Sequence, residues 1–480
     1  MNRTIRHSAV FSLLLVLALL VRATWLQAYK ADALAENDRN PRPTIARYAQ
    51  PQGDVIVAGA PVTGSVKSSG DTFAYQRDYP HGGLYAPVTG YSSQAYGATQ
   101  LEGIHGDVLD GSDSRLKNPA DALTNKRQEP GDVLTTIDPA VQKAGYRALG
   151  DTKGAAVAID PESGEILAMV STPSYDPSTI AGASDGEEWR KLLADEDKPL
   201  VNRALRQPLP PGSTFKLVVA AAALEEGLHG SVDEPTDSPM PYTLPGTVRE
   251  LPNDIAGAPC ENASLRTALR YSCNNVFAQI AADLGQDAVR ATAERFGFNE
   301  KELDVPVRAH ESIYPTGMDQ AQTALTGIGQ FEVTATPLQM AMVSAAIANG
   351  GELKEPHMVS EVVDGDGNTL DAYDGGDPRR IVSAETAEQL RSAMVTVVED
   401  GTASNARVAG AEVGGKTGTA QHGENNSETP YAWFTSYGET GDRQVAVAVI
   451  IEDAGGPRSE VSGNGLAAPV AQKMMAAALK

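Results

Sequence analysis

Ser213-Thr214-Phe215-Lys216 pairs a hydroxyl with an amine three residues on, at the start of the apolar run Lys216–Leu224. On a helix, positions i and i+3 share a face, so the two side chains would meet. Pro210-Pro211-Gly212 reads as the turn before that helix, and Gly227 as its end. A serine in the first turn has its alkoxide favoured by the helix dipole. A lysine held against an apolar helix and near a second cation loses basicity, so it can take the serine proton. The chemistry would be acyl transfer through a serine ester. Alone, the pattern reads equally as a capping serine followed by a surface lysine. A second copy, Ser114-Arg115-Leu116-Lys117, runs into Asn118-Pro119, where no helix can carry it.

Two further patterns shift the balance. Ser272-Cys273-Asn274 lies between a helical stretch, Leu265–Tyr271, and an apolar one, Val276–Leu284. Lys416-Thr417-Gly418 is the only KTG, placed where a strand would lead toward a hairpin at Ala432–Tyr437. SxxK, SxN and KTG in this order are the triple signature of penicillin-interacting serine enzymes. Another SxN, Ser462-Gly463-Asn464, reads as a turn before the final helix. Two rival motifs fail on context. Gly182-Ala183-Ser184-Asp185-Gly186 matches a nucleophile elbow but follows loop-like residues. Gly410–Thr417 matches a Walker A pattern, yet no buried strand precedes it and no helix follows it.

The surrounding elements must hold these residues. The chain has 480 residues, enough for two or three domains, with 41% hydrophobic residues for a large core. Its net charge of −23 argues against a nucleic-acid binder. Seven scattered histidines and two cysteines offer no metal-ligand pattern, so neither a metal nor a cofactor is expected. The first 31 residues contain no acid. Arg3, Arg6 and His7 precede the apolar run Ala9–Val21, and Ser8–Tyr29 is long enough to span a bilayer if Arg22 snorkels. Trp25 and Tyr29 suit the interfacial belt. The triplets at residues 31–33 and 33–35 resemble signal cleavage sites but lie well past the run, so an uncleaved anchor is expected. Basic residues ahead of the span put the N-terminus in the cytoplasm and the rest outside.

Residues 32–135 are rich in Gly, Pro, Ser and Thr and read as a β-rich module, with strands at 54–59, 73–75 and 84–86. From about residue 133 the texture changes, with Val133–Ile137 reading as a strand. A helix starts near Asp138, Ala155–Asp160 and Ile166–Ser171 flank a hairpin turn, and helices dominate to about residue 350. Strands at Ala432–Tyr437 and Gln444–Ile451 and a helix at Ala467–Leu479 close the chain; residues 364–380 read as an exposed loop. Strands, a helical middle, then strands and a helix predict an α+β fold with one antiparallel sheet. Cys260 and Cys273 either bridge, tying down the SxN turn, or remain two buried thiols.

The three motifs, with Asn202-Arg203-Ala204, Gly327–Gln330, Val333–Met340, Asp400–Ala403 and Lys416–Gln421, resemble the class B penicillin-binding proteins of the actinobacterial penicillin-binding protein A type. The resemblance covers residues 45–480. Beyond the anchor at 1–31, it implies a pedestal or dimerisation module at 32–135 and a β-lactamase-like transpeptidase domain at 136–480. It implies cross-linking of peptidoglycan stem peptides through an acyl-enzyme on Ser213, with Lys216 as base and Ser272 and Asn274 relaying the proton and holding the substrate amide. Lys416, Thr417, Gly418 and Thr419 would bind the terminal carboxylate, and the N–H groups of Ser213 and Thr419 would form the oxyanion hole. β-Lactams would acylate Ser213. The resemblance also implies a SEDS-type glycan polymerase as partner, and the anchor implies inner-membrane lipid.

Overall fold

The computed structural model describes residues 3–30, 34, 40–70, 72–116 and 128–480. The expected cleavage triplets lie outside the described residues apart from Leu34. Helix α1, Arg3–Tyr29, has 27 residues, a mean hydropathy of 2.2 over its most apolar window and no buried side chain. At 1.5 Å per residue it is ~40 Å long, more than the ~30 Å hydrocarbon core. The Arg22 guanidinium sits 4.3 Å above the Trp25 ring, so the cation that interrupts the apolar run rests on an aromatic face one turn along the helix.

The module that follows is mixed rather than β-rich. Strand β1, Val55–Val57, falls in the expected stretch and turns through Ala58-Gly59 into β2, Ala60–Pro61. The stretch expected as a strand at 84–86 instead lies in helix α2, Gly82–Thr89. Its freed carbonyls find side chains from farther along the chain: Gln142 donates to Leu84 O at 2.9 Å and Asn202 to Pro87 O at 2.8 Å. Phe73 precedes its expected strand, which runs Tyr75–Asp78, and its ring meets Tyr48 edge-on. Helices this short complete too few turns to show a 3.6-residue period.

Strand β3, Asp132–Thr135, leads to α3, Pro139–Leu149, whose first turn is capped by Asp138 accepting from the Ala140 and Val141 amides. The hairpin is β4, Lys153–Ile159, and β5, Ile166–Thr172. Helices α4 (Lys216–Glu225), α5 (Leu265–Tyr271), α6 (Asn274–Arg295) and α7 (Pro337–Ala348) follow. Strands β6 (Val359–Val363) and β7 (Thr369–Ala372) come next, so the expected loop at 364–380 contains a mostly exposed strand. Helix α8 (Ala384–Asp400), strands β8 (Glu412–Ala420), β9 (Tyr431–Thr440) and β10 (Arg443–Asp453), and helix α9 (Ala468–Ala478) complete the fold.

A five-stranded, wholly antiparallel sheet runs β8-β9-β10-β4-β5. Residues 432–438 of β9 are all buried, so both faces of the sheet are covered. Helix α7, buried along its whole length, packs on β10, as does α9. A second sheet runs β7-β6-β3-β1-β2, with β1 parallel to β3 and β6 antiparallel to it. Strands from residues 359–372 thus complete a sheet begun at residue 55.

Candidate active site

Ser213 lies in a 3-10 turn, Gly212–Phe215, that runs straight into α4. The turn is pinned by the Thr214 hydroxyl donating to Pro211 O at 2.7 Å and by the Gly212 amide donating to Gly329 O at 3.1 Å. Gly212 has φ +53°, and a Cβ there would meet Ala420 at 3.1–3.2 Å. A Cβ on Gly418 would meet Pro211 O at 2.9 Å and Trp433 Cβ at 3.0 Å. Glycine at both positions lets the serine turn and β8 approach as closely as two backbones can. Strand β8 is the sheet edge, so its outward N–H groups have no neighbouring strand. Helix α4 is driven into place by Leu217, Val218 and Val219, all fully buried, at ~1.5–3 kcal/mol each.

Ser272 caps α5 in the left-handed region, at φ +59° and ψ 43°, which is costly for a serine. Its neighbours hold it there. The Cys273 amide bonds to Ala268 O at 2.8 Å, and Cys273 is bridged to Cys260 with a Cα–Cα distance of 5.6 Å. Asn274 donates through its side chain to Pro252 O at 2.8 Å, and its amide donates to Asn253 Oδ1. Of the two readings of the cysteines, the structure has the bridge.

Lys216 and Lys416 are both fully buried and converge on Ser272. Lys216 Nζ donates to Ser272 O at 2.8 Å and Asn274 Oδ1 at 2.7 Å, and lies 3.3 Å from Ser272 Oγ. Lys416 Nζ donates to the same Oγ at 2.9 Å and to Thr417 O at 3.0 Å. Burial, and then the charge of Lys416, push the Lys216 amine well below the ordinary lysine range. Burial lowers Lys416 to about 7, opposed by the charge of Asp254. Two ammonium groups sharing one hydroxyl cannot both keep their charge. Burial lowers both, and only Lys216 is lowered again by its neighbour's charge, so Lys216 is the amine disposed to neutrality and Lys416 the one disposed to keep the shared proton. A neutral Lys216 spends its two N–H groups on Ser272 O and Asn274 Oδ1, which leaves its lone pair to accept a proton. Ser213 Oγ forms no hydrogen bond among the described residues; its expected partner is engaged with the SxN turn.

A cleft of about 290 Å³ is lined by Ser213, Ser272, Thr417 and Thr419. All the expected site residues therefore gather around one opening or directly behind it. Larger cavities, such as one of about 400 Å³ beside Glu300, Glu355 and Arg379, hold none of the motif residues. The cleft also contains groups that the motifs did not mark. Thr402 shares a hydrogen bond with Thr417 at 2.9 Å, Oγ1 to Oγ1. Residues 462–464, expected only as a turn before the last helix, form that turn and also wall the cleft. Asp254 stands at the mouth. Thr402 lay in a run already noted; a lone aspartate in a Pro-Asn-Asp loop gives no signal.

The rival motifs end elsewhere. Gly414, Gly415 and Lys416 of the Walker-like stretch are paired in β8 with Tyr437, Ser436 and Thr435, leaving no phosphate loop. Ser184 is exposed in a bend with no strand before it. Ser114 begins a 3-10 turn, and Lys117 lies outside the described residues.

Residues 154–476 match the penicillin binding protein transpeptidase domain family, and residues 52–133 the penicillin binding protein A dimerisation domain family. The chain belongs to the penicillin-binding protein transpeptidases. It is 38% identical to peptidoglycan D,D-transpeptidase PbpA of Mycolicibacterium smegmatis, over 100% of this chain and 99% of that protein. Identity to the protein of the same name from Mycobacterium tuberculosis is 37%, with the same coverage. The solved ceftriaxone acyl-enzyme complex of penicillin-binding protein A from M. tuberculosis superposes with a TM-score of 0.84 at 36% identity, covering 91% of this chain and 100% of that one.

Proposed function

We propose that this chain is a peptidoglycan D,D-transpeptidase that works through an acyl-enzyme on Ser213. The observation that carries the reading is the pair of buried lysines sharing Ser272 Oγ behind the cleft, both lowered by burial and Lys216 lowered again by the charge of Lys416. Ser213 Oγ attacks the penultimate D-Ala carbonyl of a stem peptide, and its proton passes to Lys216. The oxyanion is held by the N–H groups of Ser213 and Thr419. Lys216, through Ser272, returns the proton to the leaving D-Ala amine, while Asn274 holds the substrate amide. Lys416, with Thr417 and Thr419 around the close backbone at Gly418, anchors the terminal carboxylate. A second stem peptide then resolves the ester. β-Lactams enter the same path and remain on Ser213.

The architecture fits an enzyme held at the membrane. Helix α1 would be an uncleaved anchor in inner-membrane lipid, with the N-terminus cytoplasmic and residues 32–480 outside, where a disulfide persists. Residues 32–135 would be the pedestal, facing a SEDS-type polymerase, and 136–480 the transpeptidase domain. Intact-mass measurement after exposure to penicillin G tests the chemistry. The wild-type protein should gain one penicilloyl group and Ser213→Ala none; labelling of the alanine variant would overturn the assignment.

A further inference from the structure

The cleft has two electrical poles. Lys416 lies behind the KTG side, where a donor carboxylate would bind. The other is Asp254, the one acid among the described residues that line the cleft, exposed at its surface and near enough for its charge to act on both lysines. Its loop is fixed rather than free. Asn253, its neighbour, accepts from the Asn274 amide and donates to Asn275 Oδ1 at 3.0 Å, while Pro252 O accepts from the Asn274 side chain. The Cys260–Cys273 bridge ties the far end of the same loop to the SxN turn. An exposed carboxylate is thus held at a set place beside Ser213 and Ser272 by the very residues that hold the proton relay.

We propose that Asp254 is the acceptor-binding residue, which captures the attacking amine of the second stem peptide as its ammonium ion. This deepens the transpeptidase reading above and rests on it. An amine in neutral water is mostly protonated, and a cation entering a cleft already backed by the Lys416 charge needs a counter-charge. Asp254 would repel the donor carboxylate, so its place is on the acceptor side. Water is always present in excess, and aminolysis outruns hydrolysis only if the amine is held near the ester. The ammonium then releases one proton to solvent at the open mouth and a second, through Lys216, to Ser213 Oγ. The C–N amide bond forms as the ester C–O bond breaks.

The test uses an acyl-D-alanyl thioester donor with two acceptors at neutral pH: D-alaninamide, largely cationic, and hydroxylamine, neutral. The readout is the partition between aminolysis and hydrolysis, and penicillin labelling stoichiometry checks that each variant is folded. Asp254→Asn should lower the D-alaninamide partition at least tenfold and the hydroxylamine partition less than twofold, with Asp254→Glu restoring most of the loss. Equal losses for both acceptors would mean that Asp254 only braces the loop or supports the charge of Lys416, and would overturn the proposal. An unmoved partition would overturn it too, while leaving the transpeptidase reading intact. A wild-type protein that forms the acyl-enzyme but never aminolyses it would overturn both.

Discussion

Arg77 in the first module and Lys216 and Lys416 behind the cleft are all fully buried basic side chains, but their surroundings differ in kind. Arg77 is neutralised on the spot. It meets Glu102 at 2.7 Å and Asp54 at 3.4 Å and donates to Thr63 Oγ1 and Gly64 O. Burial alone would lower its guanidinium, but the charge and hydrogen bond of Glu102, together with Tyr79 and Asp54, raise it above its ordinary range. The two lysines hydrogen-bond to hydroxyl, amide and carbonyl oxygens, Lys216 also lies 5.6 Å from the centre of the Phe277 ring, and among the described residues neither forms an ion pair. Their basicity falls instead. A buried cation given its full counter-charge fastens a fold. One denied it stays poised to give up a proton, and the fold carries the cost.

That contrast breaks most visibly at Lys216. Lys216→Ala should slow acylation by penicillin G by ~10²–10⁴-fold, the range for losing a positioned base. Stopped-flow labelling measures it, and a fall of less than tenfold would remove Lys216 from the proton path. Next in size is Arg77→Met, which strands the buried Glu102 and should cost ~3–5 kcal/mol by urea denaturation. Its folded fraction should still acylate within about threefold of wild type, because a distant site acts independently. Parallel loss of acylation would mean that the two regions are coupled. Opposite in sign is Lys416→Met, which should raise stability by ~1–3 kcal/mol at pH 6 while impairing acylation, since an apolar chain replaces an unneutralised charge.

The smallest effect concerns pH. The unfolded chain carries a lysine near 10.5, and in the fold Lys416 sits at about 7. Between those values the unfolded state binds more protons, so stability rises with pH across that window, and the full cost is present below about 7. Wild type should therefore gain on Lys416→Met in thermal unfolding between pH 7 and pH 10. Labelling by an anionic penicillin should weaken as pH rises through about 7, while Lys416 loses its charge. A pH-independent stability difference between the two proteins would contradict the shift.

The sequence shows the site better than it shows the frame. Ser213, Lys216, Ser272 and Lys416 were legible because their chemistry depends on local spacing along a helix, a cap and a strand. The β4–β5 hairpin and the β9–β10 pair were legible because each is local and apolar. Helix α2 was not, since its carbonyls are satisfied by Gln142 and Asn202 from farther along the chain. Asp254 was invisible for a related reason: only the packed loop brings it to the cleft. The partnership of β3 with β6 has no sequence signature, because Val133 and Val362 are more than two hundred residues apart.

That last pairing has a consequence for how the molecule comes into being. A ribosome releases β1 and β3 long before β6, and until then the open side of β3 is an unpaired edge of the kind that invites aggregation. The segment that closes it arrives only after most of the helical region, yet before β8, β9 and β10. The sheet of β1, β2, β3, β6 and β7 can therefore be sealed before the antiparallel sheet, begun with β4 and β5, is complete. Cutting the chain between residues 135 and 136 would not yield two independent bodies, because β3 and β6 fall on opposite sides of the cut. Synthesis makes the partners of β3 available in a fixed order, and a nascent chain stalled short of residue 359 would be left with an unpaired edge for proteases and chaperones to find.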